Sequence, residues 1–338
     1  MMSASPDARR SAGVPFFFTW TILLVSLLAI AGCATPTQTR EIARSAPAGL
    51  PERVELSHVD FFPQEDYQCG PAALATLLTD RGIDIGPDAL VGEVYIPERR
   101  GSLQTEMLAA ARARGLVAYV LEPELEDVLA EVAAGNPVLV FQNLGINIIP
   151  RWHYAVVIGY DLADREIYLR SGTIERHVNS FSRFERTWLR GNRWAFVTVP
   201  PDTPPATASA LPWLRSANAL ETTGLINPAA TAYETATREW PEHPVGWIGL
   251  GNTRYAARDL EGSEEAFRGL LEHQPDAHAG WNNLAHVLKA RGCGDEARAA
   301  ARCAIALDPD NARYRQTGDT MSDAPSEHAC APVTCPVE

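Results

Sequence analysis

A cysteine at the start of a helical pattern is the residue best suited to chemistry in this sequence. Cys69 stands two positions before Pro71, and proline suits the first turn of a helix because its missing N–H costs nothing there. A thiol at a helix N-terminus lies among unpaired N–H groups and the positive end of the helix dipole, which favour a thiolate. Gly70 leaves room for a substrate backbone to approach. The pattern predicts a nucleophile at residue 69.

A histidine and a glutamine supply what such a nucleophile needs. His153 lies 84 residues downstream (153 − 69), at the start of an apolar run that predicts a strand. There it can accept the thiol proton and return it to a leaving amine. Gln64, five residues before the cysteine, can donate its amide N–H to an oxyanion beside the backbone N–H of Cys69. A lone cysteine before a helix is more often a packed thiol, but the three residues together favour catalysis.

The elements that must position these residues form a mixed α and β pattern from residue 54 to residue 200. Helical spacing occurs at Leu74–Leu78, Leu103–Ala113 and Leu125–Ala134. Short β-prone runs occur at Val117–Leu121, Val138–Gln142, Tyr154–Tyr160, Ile167–Arg170 and Ala195–Val199. We therefore expect one α+β domain in which the cysteine helix faces the strand that begins after His153.

These residues resemble the bacteriocin-processing, double-glycine-type cysteine peptidases, a compact branch of the papain-like fold. That family has a glutamine five residues before a Cys-Gly pair at a helix start, followed later by a His-Tyr strand. The resemblance covers about residues 59–199. It implies a papain-like α+β fold with Cys69 as nucleophile, His153 as general base and acid, and Gln64 as oxyanion donor.

The third member of the triad departs from the family pattern. Relatives carry an Asp-Pro pair at the end of the strand after the histidine, where the Asp orients the imidazole. Ser171 lies at about that place here. A serine can hold a tautomer by hydrogen bonding, but it does not stabilise an imidazolium by charge. Asp161 is an alternative orienting residue, although it reads more simply as a turn residue.

A repeat of 34 residues follows a proline-rich stretch at 201–209, which we interpret as a semi-rigid linker. Tryptophan recurs at 34-residue intervals, and so does proline; the positions are Trp213, Trp247 and Trp281, and Pro241, Pro275 and Pro309. This pattern looks like the tetratricopeptide repeat. We expect three all-α repeats over residues 210–312, the first of them degraded, for binding protein partners.

The N-terminus has the features of an export signal. Arg9 and Arg10 precede an apolar run at residues 14–32, and the run ends in Ala-Gly before Cys33, which resembles the bacterial lipobox. We expect a lipoprotein signal peptide at 1–32, lipidation at Cys33 and a tether at 33–53. Ala34 after the cysteine, instead of Asp, favours the outer membrane facing the periplasm. An uncleaved transmembrane anchor is the alternative.

Composition narrows the remaining possibilities. The formal net charge of −13 and a single lysine, Lys289, argue against nucleic acid. No cysteine spacing matches a zinc site, and we expect neither metal nor cofactor. Cys293 and Cys303 read as structural residues of the last helical pair. The remaining two, Cys330 and Cys335, lie in a tail at 313–338 that we expect to be disordered, with a small-loop disulfide between them left open.

Three functions are compatible with these features. The first is a membrane-anchored thiol peptidase of the cell envelope that cuts a peptide or protein substrate and recruits a partner through its repeats. The second is a peptidase-like scaffold whose chemistry has lapsed. The third is a cell-wall amidase of another papain-related family, which the position of Gln64 fits less well. The sequence carries no ATP-binding P-loop, so a leader-peptide substrate does not follow from the resemblance.

Overall fold

The computed structural model describes residues 35–64, 68–326 and 330–337, so the signal peptide and Cys33 lie outside the described residues. Within these three ranges, no helix is both long and apolar enough to cross a membrane. An α+β domain comes first and a helical array follows it, as the sequence predicts.

The α+β domain contains six α-helices and nine strands among the described residues. The helices are α1 (Thr37–Arg44), α2 (Cys69–Asp80), α3 (Pro87–Val94), α4 (Gln104–Arg112), α5 (Leu125–Ala133) and α6 (Phe181–Leu189). The strands are β1 (Arg53–Glu55), β2 (Tyr95–Ile96), β3 (Gly101–Ser102), β4 (Val117–Val120), β5 (Val138–Asn143), β6 (Trp152–Asp161), β7 (Glu166–Ser171), β8 (Ile174–Ser180) and β9 (Ala195–Val199). A short 3₁₀ turn at Pro97–Arg99 links β2 to β3.

Strand β6 is the centre of an antiparallel seven-stranded sheet. Six strands follow the order β4-β9-β5-β6-β7-β8, and β1 is the seventh. The first half of β6 pairs with β5, and its last three residues pair with β1 on the same side. Residues 154–161 of this strand are all buried, because helices cover the centre of the sheet. A continuous apolar run is what such a strand requires, and it explains why β6 has no alternating polar face.

The predicted tether at 33–53 is not a free segment. Helix α1 occupies residues 37–44, and its N-terminus is bound by the buried carboxylate of Glu185 on α6. That carboxylate accepts the backbone N–H of Gln38 at 3.1 Å and the N–H and hydroxyl of Thr39 at 2.7 Å each. Gln38 in turn accepts the N–H of Leu125 at 2.8 Å. A negative group at a helix N-terminus is favourable, so these bonds hold α1 on the domain.

The helical array consists of three antiparallel pairs and a closing helix. The pairs are α7 (Ala210–Thr222) with α8 (Ile226–Glu239), α9 (Pro244–Ala256) with α10 (Leu260–His273), and α11 (His278–Ala290) with α12 (Gly294–Leu307), followed by α13 (Ala312–Met321). The recurring residues are joined directly: Trp247 donates to the Pro241 carbonyl and Trp281 to the Pro275 carbonyl, both at 2.8 Å. In the second and third pairs the two residue types therefore share one period because the tryptophan bonds the turn before its own helix, whereas Trp213 donates to the Ala232 carbonyl of the following helix at 2.7 Å.

The segment at 201–209 is packed against the first domain and does not act as a spacer. The backbone N–H and the hydroxyl of Thr207 both donate to Glu131 at 2.7 Å, and Tyr119 donates to the Thr207 carbonyl at 3.2 Å. Helix α7 then packs on β4, where Ser216 reaches the Ala118 carbonyl at 3.4 Å. One hydrophobic core runs from the sheet into the first repeats.

The expectation of a disordered tail at 313–338 is wrong for its described residues. Helix α13 closes the array, and the segment after it is joined to the last helical pair by two disulfides, Cys293–Cys330 and Cys303–Cys335. The two tail cysteines are therefore not paired with each other. The sequence pattern missed this because the tail is ordered by disulfides to buried cysteines at 293 and 303, which the local composition of the tail does not report.

We predict that peptide mapping without reduction will recover the 293–330 and 303–335 cross-links. Replacing the second pair in a Cys303→Ser/Cys335→Ser variant is expected to lower the free energy of unfolding of the array by about 2–4 kcal/mol, since it opens a loop of 32 residues. Denaturation monitored by the tryptophans of the array measures this. Recovery of a 330–335 cross-link would contradict the pairing.

Candidate active site

Gln64, Cys69 and His153 line one cleft, together with Ser171. The cavity volume is about 1160 Å³, which is large enough for several residues of an extended polypeptide. Each of the three predicted residues thus reaches the same site from a different part of the chain. They come from a loop, from the first residue of α2 and from the start of β6, respectively.

The Cys69 sulfur faces the strand that carries His153. Backbone N–H groups of Tyr154, Cys69 and Gly70 point at the thiol and lower its pKa, whereas burial raises it and has the larger effect. Tyr154 is the residue directly after His153, so the thiol lies beside the histidine's own stretch of backbone. The free site therefore holds a neutral thiol, where the helix position alone predicts a thiolate.

His153 is oriented by Ser171, across the end of the sheet. The His153 Nε2 atom and the Ser171 Oγ atom are 2.8 Å apart. Because Nε2 is used in this way, Nδ1 is the ring nitrogen that remains for proton transfer. Burial, together with smaller effects of the nearby positive charges of His177 and Arg151, lowers the pKa of His153 to about 4. The imidazole is consequently neutral at physiological pH and can accept a proton.

Asp161 does not take part in this site. It lies at the other end of β6, where its carboxylate accepts the N–H of Asp164 at 2.9 Å in the turn to β7. A strand of ten residues spans roughly 30 Å, so the two ends of β6 do not communicate through a side chain. Of the two orienting residues that the sequence left open, the structure selects Ser171.

Gln64 is fixed by its backbone to the turn that follows Ser171. Its N–H donates to the Gly172 carbonyl at 3.1 Å, and Gly172 has a φ of 60°, which glycine adopts without strain. The side-chain Oε1 of Gln64 is buried and has no hydrogen-bond partner among the described residues. An amide held in this way, with the rest of the residue lining the cleft, is suited to donate its N–H to an oxyanion.

Gly70 serves packing and not substrate approach. A Cβ at this position would lie 2.2 Å from the Ser102 Oγ atom, so the glycine lets β3 press against the start of α2. Tyr154 donates its hydroxyl to the Ser102 carbonyl at 3.1 Å and thereby ties β3 to β6. Sequence reasoning missed both Ser102 and Tyr154. Tyr154 could have been singled out as the aromatic residue directly after His153, whereas nothing in the sequence marked Ser102.

We predict that an acidic residue at position 171 will activate the thiol. A Ser171→Asp carboxylate is expected to raise the pKa of His153, and the resulting imidazolium to lower the pKa of Cys69. Alkylation of Cys69 by iodoacetamide near pH 6 should then be at least about 10-fold faster than in the wild type, measured by peptide mass spectrometry. Ser171→Asn is the matched control without charge. Equal rates in the two variants would contradict a charge effect.

We further predict that His153 makes folding pH-dependent. Its pKa falls from 6.5 in the unfolded chain to about 4 in the fold, so the folded protein binds fewer protons and loses stability as the pH falls through this window. The loss should reach up to about 3 kcal/mol. Urea denaturation at several pH values should show it in the wild type and a smaller slope in His153→Gln. Identical slopes would show that folding does not shift the pKa of His153, and would contradict the prediction.

Comparison with known proteins places the cleft in the matched region. The family model described as "Peptidase_C39 like family" matches residues 56–195, and no curated protein matches the chain. A Bacillus anthracis protein described as a C39-like peptidase is 20% identical, with a TM-score of 0.38, over 44% of this chain and 98% of that chain.

Two further solved structures are similar to different parts of the chain. A double-glycine-motif protease from an AMS/PCAT transporter, solved with its leader peptide, is 21% identical, with a TM-score of 0.32, over 41% of this chain and 90% of that chain. YrrB, a TPR protein with an unusual peptide-binding site, is 18% identical, with a TM-score of 0.31, over 33% of this chain and 58% of that chain. The chain thus combines a domain similar to the Peptidase_C39 like family with a TPR-like helical array.

Proposed function

We propose that this protein is a lipid-anchored thiol peptidase of the bacterial cell envelope that hydrolyses peptide bonds through Cys69 and His153. The observation that supports this best is the geometry around His153. Ser171 holds one ring nitrogen at 2.8 Å, and the thiol lies beside the backbone N–H of the next residue. The sequence similarity of residues 56–195 to the Peptidase_C39 like family agrees with the proposal.

The reaction proceeds from the neutral pair. As the Cys69 sulfur bonds to the substrate carbonyl carbon, its proton passes to His153, and the carbonyl oxygen gains the negative charge. In this proposal the Gln64 amide and the Cys69 backbone N–H stabilise that oxyanion. The C–N bond then breaks, and His153 protonates the leaving amine. A water molecule, deprotonated by His153, next attacks the thioester, which releases the acid and restores the thiol.

An extracytoplasmic location is supported by the disulfides. Two cystines, Cys293–Cys330 and Cys303–Cys335, join the tail to the array, and such pairs persist in oxidising compartments such as the periplasm. The lipobox-like residues before Cys33 agree with export. A lipid at Cys33 would retain the mature protein at the membrane, with the outer membrane favoured by Ala34.

The repeats are proposed to bind a protein partner or the substrate itself. Neighbouring first helices place side-chain amides side by side, since Asn283 on α11 donates to Asn252 on α9 at 3.4 Å. Arrays of this kind commonly bind extended peptides on the surface formed by such helices. Amide rows suit a polypeptide backbone because they offer both donors and acceptors.

A non-catalytic scaffold is the second candidate function. It is favoured by the hydrogen bond of His153 to a neutral residue, Ser171, and by the burial that raises the pKa of Cys69. In that case the cleft would bind a polypeptide without cutting it, and the repeats would carry the function.

Cleavage of a peptide library, read by mass spectrometry, separates the two candidates. We expect products from the wild type and none from Cys69→Ala. Gln64→Ala should lower kcat by about 10²–10³, because it removes an oxyanion donor. Gln68→Ala is the matched control, since Gln68 is an exposed glutamine beside the nucleophile and should leave kcat within a few-fold. Binding of library peptides without products would support the scaffold.

A further inference from the structure

An exposed apolar hairpin forms one wall of the cleft and is not explained by the chemistry. The connection between β5 and β6 carries Leu144, Ile146, Ile148 and Ile149, and β6 begins with Trp152; all five side chains are exposed. Ile148 is 84% exposed and Ile149 is 68% exposed. Contiguous apolar side chains at the surface of a folded protein mark a site of contact with another apolar surface. We call residues 144–152 the apolar hairpin.

The apolar hairpin is ordered by its own backbone. Leu144 donates to the Arg151 carbonyl at 2.8 Å, and Ile149 donates to the Ile146 carbonyl at 3.0 Å. The side chain of Asn143 accepts the N–H groups of Gly145 and Arg151, both at 2.9 Å. The aliphatic side chains are therefore held outward by a fixed turn. Three isoleucines are thus held exposed in a fixed geometry, and the hydration of their side chains is unfavourable. Contact with another apolar surface would remove this free-energy cost.

Helix α1 and the apolar hairpin are both hydrogen-bonded to one short stretch of the chain. Gln38 and Thr39 are bound to Glu185, which also accepts from Arg193 at 3.3 Å. The segment after α6 continues to the hairpin, because Arg190 donates to the Asn143 carbonyl at 2.9 Å. The start of α1 and the apolar hairpin are thus connected through one short stretch, residues 185–193.

The proposed lipid anchor is close to helix α1. Cys33 precedes Thr37, the first residue of α1, by four residues, which span at most about 14 Å when fully extended. A domain attached so closely has little freedom to turn away from the membrane surface. Arginines flank the apolar side chains, with Arg151 on the hairpin and Arg190 after α6, and cations of this kind favour anionic headgroups. Trp152 has the amphipathic ring that is enriched at membrane interfaces.

We infer that the apolar hairpin inserts into the bilayer that carries the N-terminal anchor, so that the cleft opens at the lipid surface. The inference rests on the membrane anchoring in the proposed function. The same hairpin residues Leu144, Arg151 and Trp152 line the cleft, so its mouth lies at the depth of the headgroups. The substrates that fit this arrangement are polypeptide segments at or just outside the membrane.

The test uses the full chain, with its N-terminal anchor, in vesicles of phosphatidylethanolamine with a minority of phosphatidylglycerol. A fluorescent non-natural amino acid replaces Ile148 in one preparation and Val245 in the other. Val245 is the matched control, because it is an aliphatic residue of the second repeat that is 45% exposed. Lipids carrying a nitroxide near the headgroup quench any fluorophore that reaches the interface.

We expect at least about a threefold stronger quenching at position 148 than at position 245, by analogy with the shallow insertion of interfacial segments. Adding Ile146→Asp and Ile149→Asp to the position-148 preparation should remove the difference. Equal quenching at both positions would overturn the inference. So would a position-148 signal that responds only to added peptide, which would assign the hairpin to a protein partner.

The outcome is independent of catalysis. The same quenching is expected in Cys69→Ala, so quenching without cleavage would leave the membrane contact in place and refute only the peptidase. Cleavage of library peptides without quenching at position 148 would support the peptidase and refute the membrane contact.

Discussion

The register of strand β6 is the constraint on which the candidate site depends. Pairing with β7 begins at Val156 opposite Arg170, which leaves the first residues of β6 beyond the paired part of β7. His153 therefore projects near the end of β7, where Ser171 meets it, and the free backbone N–H of Tyr154 is available to the Cys69 sulfur. A slip of one residue would turn the histidine to the other face of the sheet.

The sequence was most informative where one residue type determines the geometry. A cysteine before a glycine and a proline marked the start of α2, and continuous apolar runs marked β5, β6, β7 and β9 within two residues. Gln64, Cys69 and His153 do meet in one cleft. The 34-residue period was equally clear, because the second and third repeats both place a tryptophan against the preceding turn.

Contacts between distant segments were not visible in the pattern. Strand β8 has the sequence IERHVNS, with its charged side chains at an edge of the sheet, and so it lacks the apolar alternation of a half-buried strand. The docking of α1 depends on one buried carboxylate at residue 185, far along the chain. The neutral state of the Cys69–His153 pair also arises from burial. The local sequence indicates that a helix dipole acts on the thiol. It does not show that the surrounding elements exclude water from the site and so favour the neutral forms.

The shared core between the sheet and the first repeat has a consequence for which bond of a substrate is cut. Because α7 packs on β4 and the 201–209 segment is bonded to Glu131, the array does not swing relative to the cleft. A polypeptide gripped by the repeats would enter the cleft at a set distance from its point of attachment. The bond to be cut would then be selected in two ways. One is the number of residues that separate it from the segment bound by the repeats, and the other is the side chains around it.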